Sequence, residues 1–405
     1  MMKKPILNTL VQVGGKVVTV LLSLVTTGIL TRRLGVSVYG NYMLIVSIFL
    51  LFDSLADFGT KVIGVREASR ESGEERKNIY IQVAWVRLIA SLLAFLGGLG
   101  LIIFWSGLRT VQWEALIALS MISFTAMAGS LEIIFQTEMR MDLKVWMDIL
   151  FPLTFVIMLL IWPGTINLIW VFGVYLGARI LSLGLGWNLI KKIIGKIKFK
   201  KWDKAFLKSF IKEAWPMGIY MILFSGYDRA VDSILIKQFI GSEKLAFYGL
   251  AYKIYGNLIQ PAYFFVNSIF PMMSIKETNK KSLFWKSTGL MLLGILVVAP
   301  TIYFLSPWII RILAGNEFGE SVLILRILLV AMVFAYISHL VGFTVIARGG
   351  QKQILIIGLV SLTVNIVGNL IAIPRFGIVG AAWVTVATES IAAGLMIINL
   401  RKSTR

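Results

Sequence analysis

Charged side chains set inside long apolar runs are the residues of this sequence that could do chemistry. The stretch LFSGYDRAVDSIL (223–235) places Asp228, Arg229 and Asp232 within one such run, with AWPMGIYMI before it and IKQFIG after it. Asp53 and Asp57 stand in a second run, Arg87 in a third and Arg179 in a fourth; Lys253, Arg326, His339 and Glu389 are similarly placed. A charge near the middle of a bilayer costs about 2.5–3.5 kcal/mol on insertion scales, so such groups face a partner or a water-filled cavity. Asp53 and Asp57 are four residues apart, as are Asp228 and Asp232, so each pair shares one helix face. Arginine among these acids suits phosphate oxygens, because its planar fork donates two parallel hydrogen bonds. Tyr227, Tyr252, Tyr255, Asn267, Asn365 and Asn369 accompany the charges and offer rings and amides to a polar guest. The expected arrangement is a hydrated polar cavity between two halves of a transporter. The competing reading for any one pair is an interhelical salt bridge, and for His339 a hydrogen-bonded packing role. For each tyrosine it is packing or anchoring at the membrane interface.

The elements that must position these groups are membrane helices. Of 405 residues, 58% are hydrophobic and 15% charged, where soluble domains carry roughly 25% charged residues. A hydrocarbon core of about 30 Å takes roughly 20 apolar residues per helix. On that measure the sequence predicts twelve spans, at 8–31, 40–63, 80–105, 113–135, 145–163, 165–190, 214–239, 247–273, 283–304, 321–346, 351–373 and 376–400. The first is read as a retained helix, because no small-residue cleavage site follows it. Lys16, Glu132 and Asp148 fall near span ends, where a long or short polar chain reaches the interface cheaply. With the N-terminus inside, 25 Lys and Arg lie on the cytoplasmic side against seven on the other, which places both termini in the cytoplasm. The formal charge of +20 therefore reflects loop bias, and nucleic acid is not an expected partner. No cysteine and a single histidine exclude thiolate and multi-histidine metal sites, and no cofactor is called for.

Nine lysines between 191 and 213 alternate with apolar residues at helical spacing, the pattern of a basic amphipathic segment on an anionic leaflet. This segment divides the chain into an N-terminal six-helix lobe (1–190), a cytoplasmic linker (191–213) and a C-terminal six-helix lobe (214–405). Six is even, so an internal repeat must be parallel, with a pseudo-two-fold axis along the membrane normal. A weak repeat stands at the required place: LTRRLGVSVYGNYML in the first half and LIKQFIGSEKLAFYGLAYKI in the second.

Four stretches carry a family resemblance: RRLGVSVYGNYML (32–44), DFGTKVIGVREASR (57–70), DRAVDSILIKQFIGSEKLAFYGLAYKI (228–254) and IPRFGIVGAAWVTVATE (373–389). Their order over twelve spans resembles the Wzx-type polysaccharide-repeat flippases of the multidrug/oligosaccharidyl-lipid/polysaccharide exporter superfamily. The resemblance implies an all-α, MATE-like integral membrane fold in the bacterial inner (plasma) membrane. It implies translocation of an undecaprenyl-diphosphate-linked oligosaccharide from inner to outer leaflet by alternating access. It also implies a proton or sodium ion as coupling partner, with polysaccharide polymerase or export proteins as further partners. On this reading Arg87, Arg179, Arg229, Lys253, Tyr227, Tyr252, Tyr255 and Asn267 line the substrate cavity. Asp53, Asp57, Asp228, Asp232 and Glu389 are coupling-ion sites or partners of the arginines. Two readings share the architecture, a cation-coupled multidrug exporter and a peptidoglycan-precursor flippase. A membrane enzyme is disfavoured by short loops and by the lack of a nucleotide-binding glycine loop or an Asp-x-Asp pair, and a channel by the paired basic and acidic sites.

Overall fold

The computed structural model describes residues 3–195, 203–226, 230–274, 280–347 and 350–402. Among these the regular structure is entirely helical, as a bilayer demands of chains that do not close into barrels. The helices are α1 (Lys3–Leu34), α2 (Val36–Asp57), α3 (Thr60–Arg70), α4 (Gly73–Phe104), α5 (Gln112–Thr137), α6 (Met141–Ile161), α7 (Leu168–Ile194), α8 (Lys204–Ser225), α9 (Val231–Ile240), α10 (Ser242–Ser274), α11 (Lys280–Ala314), α12 (Glu320–Ala347) and α13 (Gln351–Lys402). Nine helical segments of the described residues are long and apolar enough to cross a membrane. The last of them holds the final two expected spans, because α13 breaks at Gly377 (φ 60°, ψ −144°), three residues after Pro374.

One expected span is an interrupted helix. The second is α2 followed by α3, broken at Phe58 and Gly59, and α3 continues the helix to Arg70, into what the sequence presents as a loop. The seventh holds α8 and α9, and residues 227–229 between them lie outside the described residues. The fifth and sixth expected spans are separate helices, α6 ending at Ile161 and α7 starting at Leu168. Asn167 caps α7 there, its side-chain oxygen accepting from Trp170 N–H at 2.8 Å, which satisfies one of the orphan donors of a helix start. Arg33 closes the other side of this turn by donating to the carbonyls of Leu159 (2.7 Å) and Trp162 (3.0 Å) at the end of α6, where a cation also meets the negative end of the helix dipole. Residues 196–202 of the expected amphipathic linker lie outside the described residues.

By contact the chain divides into two compact units. One comprises Met1–Leu34 and Ile45–Ser225, the other Gly35–Leu44 and Gly226–Arg405. In the first, Ile63, Val83, Leu131, Ile133, Met147, Ile190, Phe210 and Ala214 form a buried apolar cluster that joins α3 to α8. In the second, the two repeat stretches meet. Each has a glycine of positive φ between helices (Gly35, 74°; Gly241, 90°) and then a buried Tyr-Gly pair. A Cβ on Gly40 would lie 1.8 Å from the Ser242 carbonyl oxygen, so glycine is required there for the backbones to approach. The outward faces are apolar, with Leu296 70% and Phe304 72% exposed, as expected when lipid rather than water is the solvent.

Arg326 shows that an intramembrane charge need not be a binding group. Pro307 has no N–H to give the carbonyl of Tyr303 one turn back. Ser306 Oγ donates to that carbonyl at 2.7 Å, and Arg326 Nε reaches both Ser306 Oγ (3.1 Å) and the carbonyl (3.3 Å), its guanidinium 4.5 Å from the Tyr303 ring centroid. Arg326→Met should cost about 1–2 kcal/mol of stability and leave transport intact, checked by thermal unfolding in detergent beside a transport assay.

Candidate functional site

In the first unit, charges from six helices meet at one cavity of about 350 Å³, within the range of small-molecule sites. Its lining includes Asp53 and Asp57 of α2, Lys61 of α3, Arg87 of α4, Glu132 of α5, Asp148 of α6 and Arg179 of α7. The shared face of Asp53 and Asp57 therefore points where the i, i+4 spacing directs it. The two acids differ in their surroundings. Asp57 Oδ1 accepts from Arg87 Nη1 at 2.5 Å. Asp53 makes no ion pair or hydrogen bond among the described residues, although Asp57, Arg179, Arg87 and Lys61 act on it electrostatically.

The two arginines differ as sharply. Arg87 is buried, and its guanidinium donates to Asp57, to Thr60 Oγ1 (2.8 Å) and, through Nε, to the carbonyl of Ala126 (3.0 Å). Arg179 Cζ sits over the Phe151 ring, 4.3 Å from its centroid, and its buried Nε has no hydrogen-bond acceptor. Tyr175, edge-on to Phe151 and Phe155, completes an aromatic wall beside it. A buried donor left unpaired costs about 1–3 kcal/mol, and an anionic oxygen is the chemistry that would satisfy it.

A second chain of charges runs along the same cavity; sequence reasoning places Glu132 and Asp148 of it near span ends and does not single out Lys61 or Lys144. Lys61 pairs with Glu132 (2.7 Å), Glu132 with Lys144 (3.3 Å) and Lys144 with Asp148 (2.5 Å). The signals for it were Lys61 one turn after Asp57 and the i, i+4 spacing of Lys144 and Asp148. Gly129 seats the Arg87 guanidinium, since a Cβ there would stand 2.2 Å from Nη2 and 3.0 Å from Cζ. Gly129→Ala should therefore displace Arg87 and cost about 1–3 kcal/mol, the usual range for overpacking, read as a lowered unfolding midpoint of the purified protein.

The second unit holds a different site. Asp232 of α9 is fully buried. It accepts from the Tyr248 hydroxyl, from Asn369 Nδ2 (2.7 Å), from Asn365 Nδ2 (3.1 Å) and from Thr385 Oγ1 (3.4 Å). The amide oxygens of Asn365 and Asn369 are buried without a donor. The two ends of an amide exchange by a half-turn of the side chain, which would bring those oxygens beside the carboxylate. Carboxylate, amide and hydroxyl oxygens are the donor set of a hard cation such as sodium, so the residues fit a small ion; among the described residues no cluster of three or more His, Cys, Asp or Glu could hold a metal. Tyr252 and Tyr255 are buried, and their rings continue from Tyr248 at centroid distances of 5.6 and 5.2 Å. Lys253 and Glu389 are half-buried on α10 and α13. Tyr227, Asp228 and Arg229 lie outside the described residues, as does the side chain of Asn267.

Nine helical segments of membrane-crossing length and apolarity among the described residues define a multi-pass membrane protein. The fold matches solved members of one superfamily over nearly the whole chain. A multidrug resistance MATE family transporter of the MOP superfamily, in its inward-facing conformation, superposes with a TM-score of 0.76 at 15% identity, covering 95% of this chain and 94% of that one. The lipid II flippase MurJ, inward closed, gives 0.76 at 17% identity over 98% and 90%. The chain belongs to the family of polysaccharide biosynthesis proteins, whose model matches residues 6–277. An uncharacterized membrane protein of Methanocaldococcus jannaschii is 26% identical over 224 residues, which are 52% of this chain and 43% of that protein.

Proposed function

We propose that this protein is a flippase that carries a lipid-linked oligosaccharide, an undecaprenyl-diphosphate-linked repeat unit, from the inner to the outer leaflet of the bacterial plasma membrane. The lipid tail stays in hydrocarbon; the diphosphate and sugars need a wet path with fixed donors. The observation that supports this most directly is the first-unit cavity in which Arg179 keeps an unmet Nε donor against an aromatic wall. The motion is alternating access, and the Asp232 cluster takes the coupling proton or sodium ion as co-substrate. Both termini face the cytoplasm on the count of Lys and Arg in loops, and a polysaccharide polymerase or export complex receives the product.

One observation favours a second reading, a cation-coupled multidrug exporter. Acids outnumber bases at the cavity lining, with Asp53, Asp57, Glu132 and Asp148 against Lys61, Arg87 and Arg179. Reconstituted vesicles separate the two, and separate both from a peptidoglycan-precursor flippase. Flipping of a fluorescent lipid-linked oligosaccharide, with no efflux of a cationic dye and no flipping of lipid II, is the expected result. Dye efflux alone overturns the proposal.

A further inference from the structure

We propose that the junction between α2 and α3 is a hinge held shut by Arg87, and that a diphosphate entering the first-unit cavity opens it by drawing the guanidinium away from Asp57. The junction is two residues long, and both are left-handed: Phe58 at φ 41° and Gly59 at φ 71°. Glycine tolerates that conformation, whereas a bulky side chain is strained in it. Something must therefore hold Phe58, and the holding contacts are on the page. Asp57 is the last residue of α2 and Thr60 the first of α3. Arg87 binds the side chains of both with one nitrogen, Nη1, while its Nε is tied to the carbonyl of Ala126 on α5. Thr60 Oγ1 in turn donates to the Asp57 carbonyl at 2.5 Å. One guanidinium thus spans the end of one helix, the start of the next and a third helix behind them.

On the opposite side the junction is packed rather than bonded. The Phe58 ring lies on Gly218 of α8, where a Cβ would come within 2.6 Å of it, and Gly59 lies against Met217 and Ala214. Opening the ion pair would remove the Arg87 side-chain tie from α4, leaving the two strained residues to that packing, the Thr60–Asp57 hydrogen bond and the backbone bonds of the flanking turns. The arm that would move is α3, which carries Lys61 and its pairing to Glu132, so the hinge would change the shape of the cavity whose anion triggers it. The arm that would stay is α2, a helix whose residues are divided between the two units at Leu44 and Ile45. Arg87 acts here as a positioning residue that the cargo must compete for, while Arg179 is the guanidinium open from the start. A diphosphate is the chemistry that can compete, because a guanidinium binds phosphate oxygens as a bidentate pair just as it binds a carboxylate.

The inference rests on the flippase reading for the source of its anion, yet the two can fail separately. The test is hydrogen–deuterium exchange of the full-length protein in lipid nanodiscs, followed at residues 57–66 with and without inorganic pyrophosphate at constant ionic strength. Pyrophosphate should speed exchange there by about tenfold, the change expected when a local opening becomes easier by one order of magnitude, and leave α12 unchanged. Arg87→Lys keeps a charge for Asp57 but loses the fork; its junction should exchange faster at rest and gain nothing from pyrophosphate. Gly59→Ala puts a Cβ 2.8 Å from that of Met217 at a left-handed position, and should also speed resting exchange while keeping the pyrophosphate response. A short prenyl diphosphate presented from the bilayer, acting where free pyrophosphate does not, would assign the anion to the lipid carrier. Exchange at 57–66 that ignores both anions in the unmodified protein, or that rises equally in α12, overturns the hinge. A protein that flips no lipid-linked sugar but keeps the anion response loses its cargo assignment and retains the hinge.

Discussion

Arg179→Ala is expected to abolish export of lipid-linked oligosaccharide while leaving a folded protein in the membrane. Both halves of that expectation come from the same geometry. The guanidinium lies against Phe151 and its buried Nε has no acceptor, so removing it breaks no hydrogen bond of the fold and relieves an unmet donor. A hydrogen bond to a charged group contributes about 1.5–3 kcal/mol; losing one or two to a diphosphate weakens cargo engagement by roughly 10- to 10,000-fold at about 1.4 kcal/mol per decade. Arg87→Ala should behave in the opposite way. It leaves Asp57, half-buried and next to Asp53, without its partner and should cost about 3 kcal/mol of stability, the lower end for breaking a buried ion pair from one side. The pair of variants is informative together: flipping rate in vesicles, amount of protein in the membrane and unfolding midpoint, each measured on both. Normal flipping by the Arg179 variant removes it from the cargo path.

Asp232→Asn is expected to leave transport insensitive to the ion gradient. The carboxylate is fully buried and receives donors from Tyr248, Asn365, Asn369 and Thr385. Asparagine keeps its shape and removes its charge. The amide can still be accommodated, because the donor-less oxygens of Asn365 and Asn369 become acceptors when those side chains turn over. The fold should therefore survive, and the response of flipping to external sodium and to pH should flatten. Asp232→Ala is the harsher change, leaving several buried donors unmet at about 1–3 kcal/mol each, and should unfold or deplete the protein. An Asn variant that answers sodium and pH as the parent does would make Asp232 a packing residue.

Much of the site could be read from local spacing. Asp53 and Asp57 one turn apart had to share a face, and both line the cavity. Asn365 and Asn369, four apart, likewise both reach Asp232. Glu132 and Asp148 were readable only as charges near span ends, and Lys61 and Lys144 were not picked out, because nothing local says that Glu132 lies beside Lys61. The division of α2 from α3 was hidden too. DFGTKV continues a helical hydrophobic pattern, and a break made by two left-handed residues is stabilised by groups on α4 and α8 that are far away in the chain.

The sequence by itself determined that this is a helical membrane protein with charges set inside its apolar runs. Those properties depend on runs of about 20 apolar residues and on the cost of a charge in hydrocarbon, both of which are local or additive. Only the tertiary structure decided which charges meet. Arg87 finds Asp57 across 30 residues of chain and Asp232 finds Thr385 across 153, and pairings at such separations depend on helix rotation and crossing rather than on spacing. That choice left Arg87 with every nearby acceptor it uses and Arg179 with an unmet donor, which no pattern along the chain distinguishes.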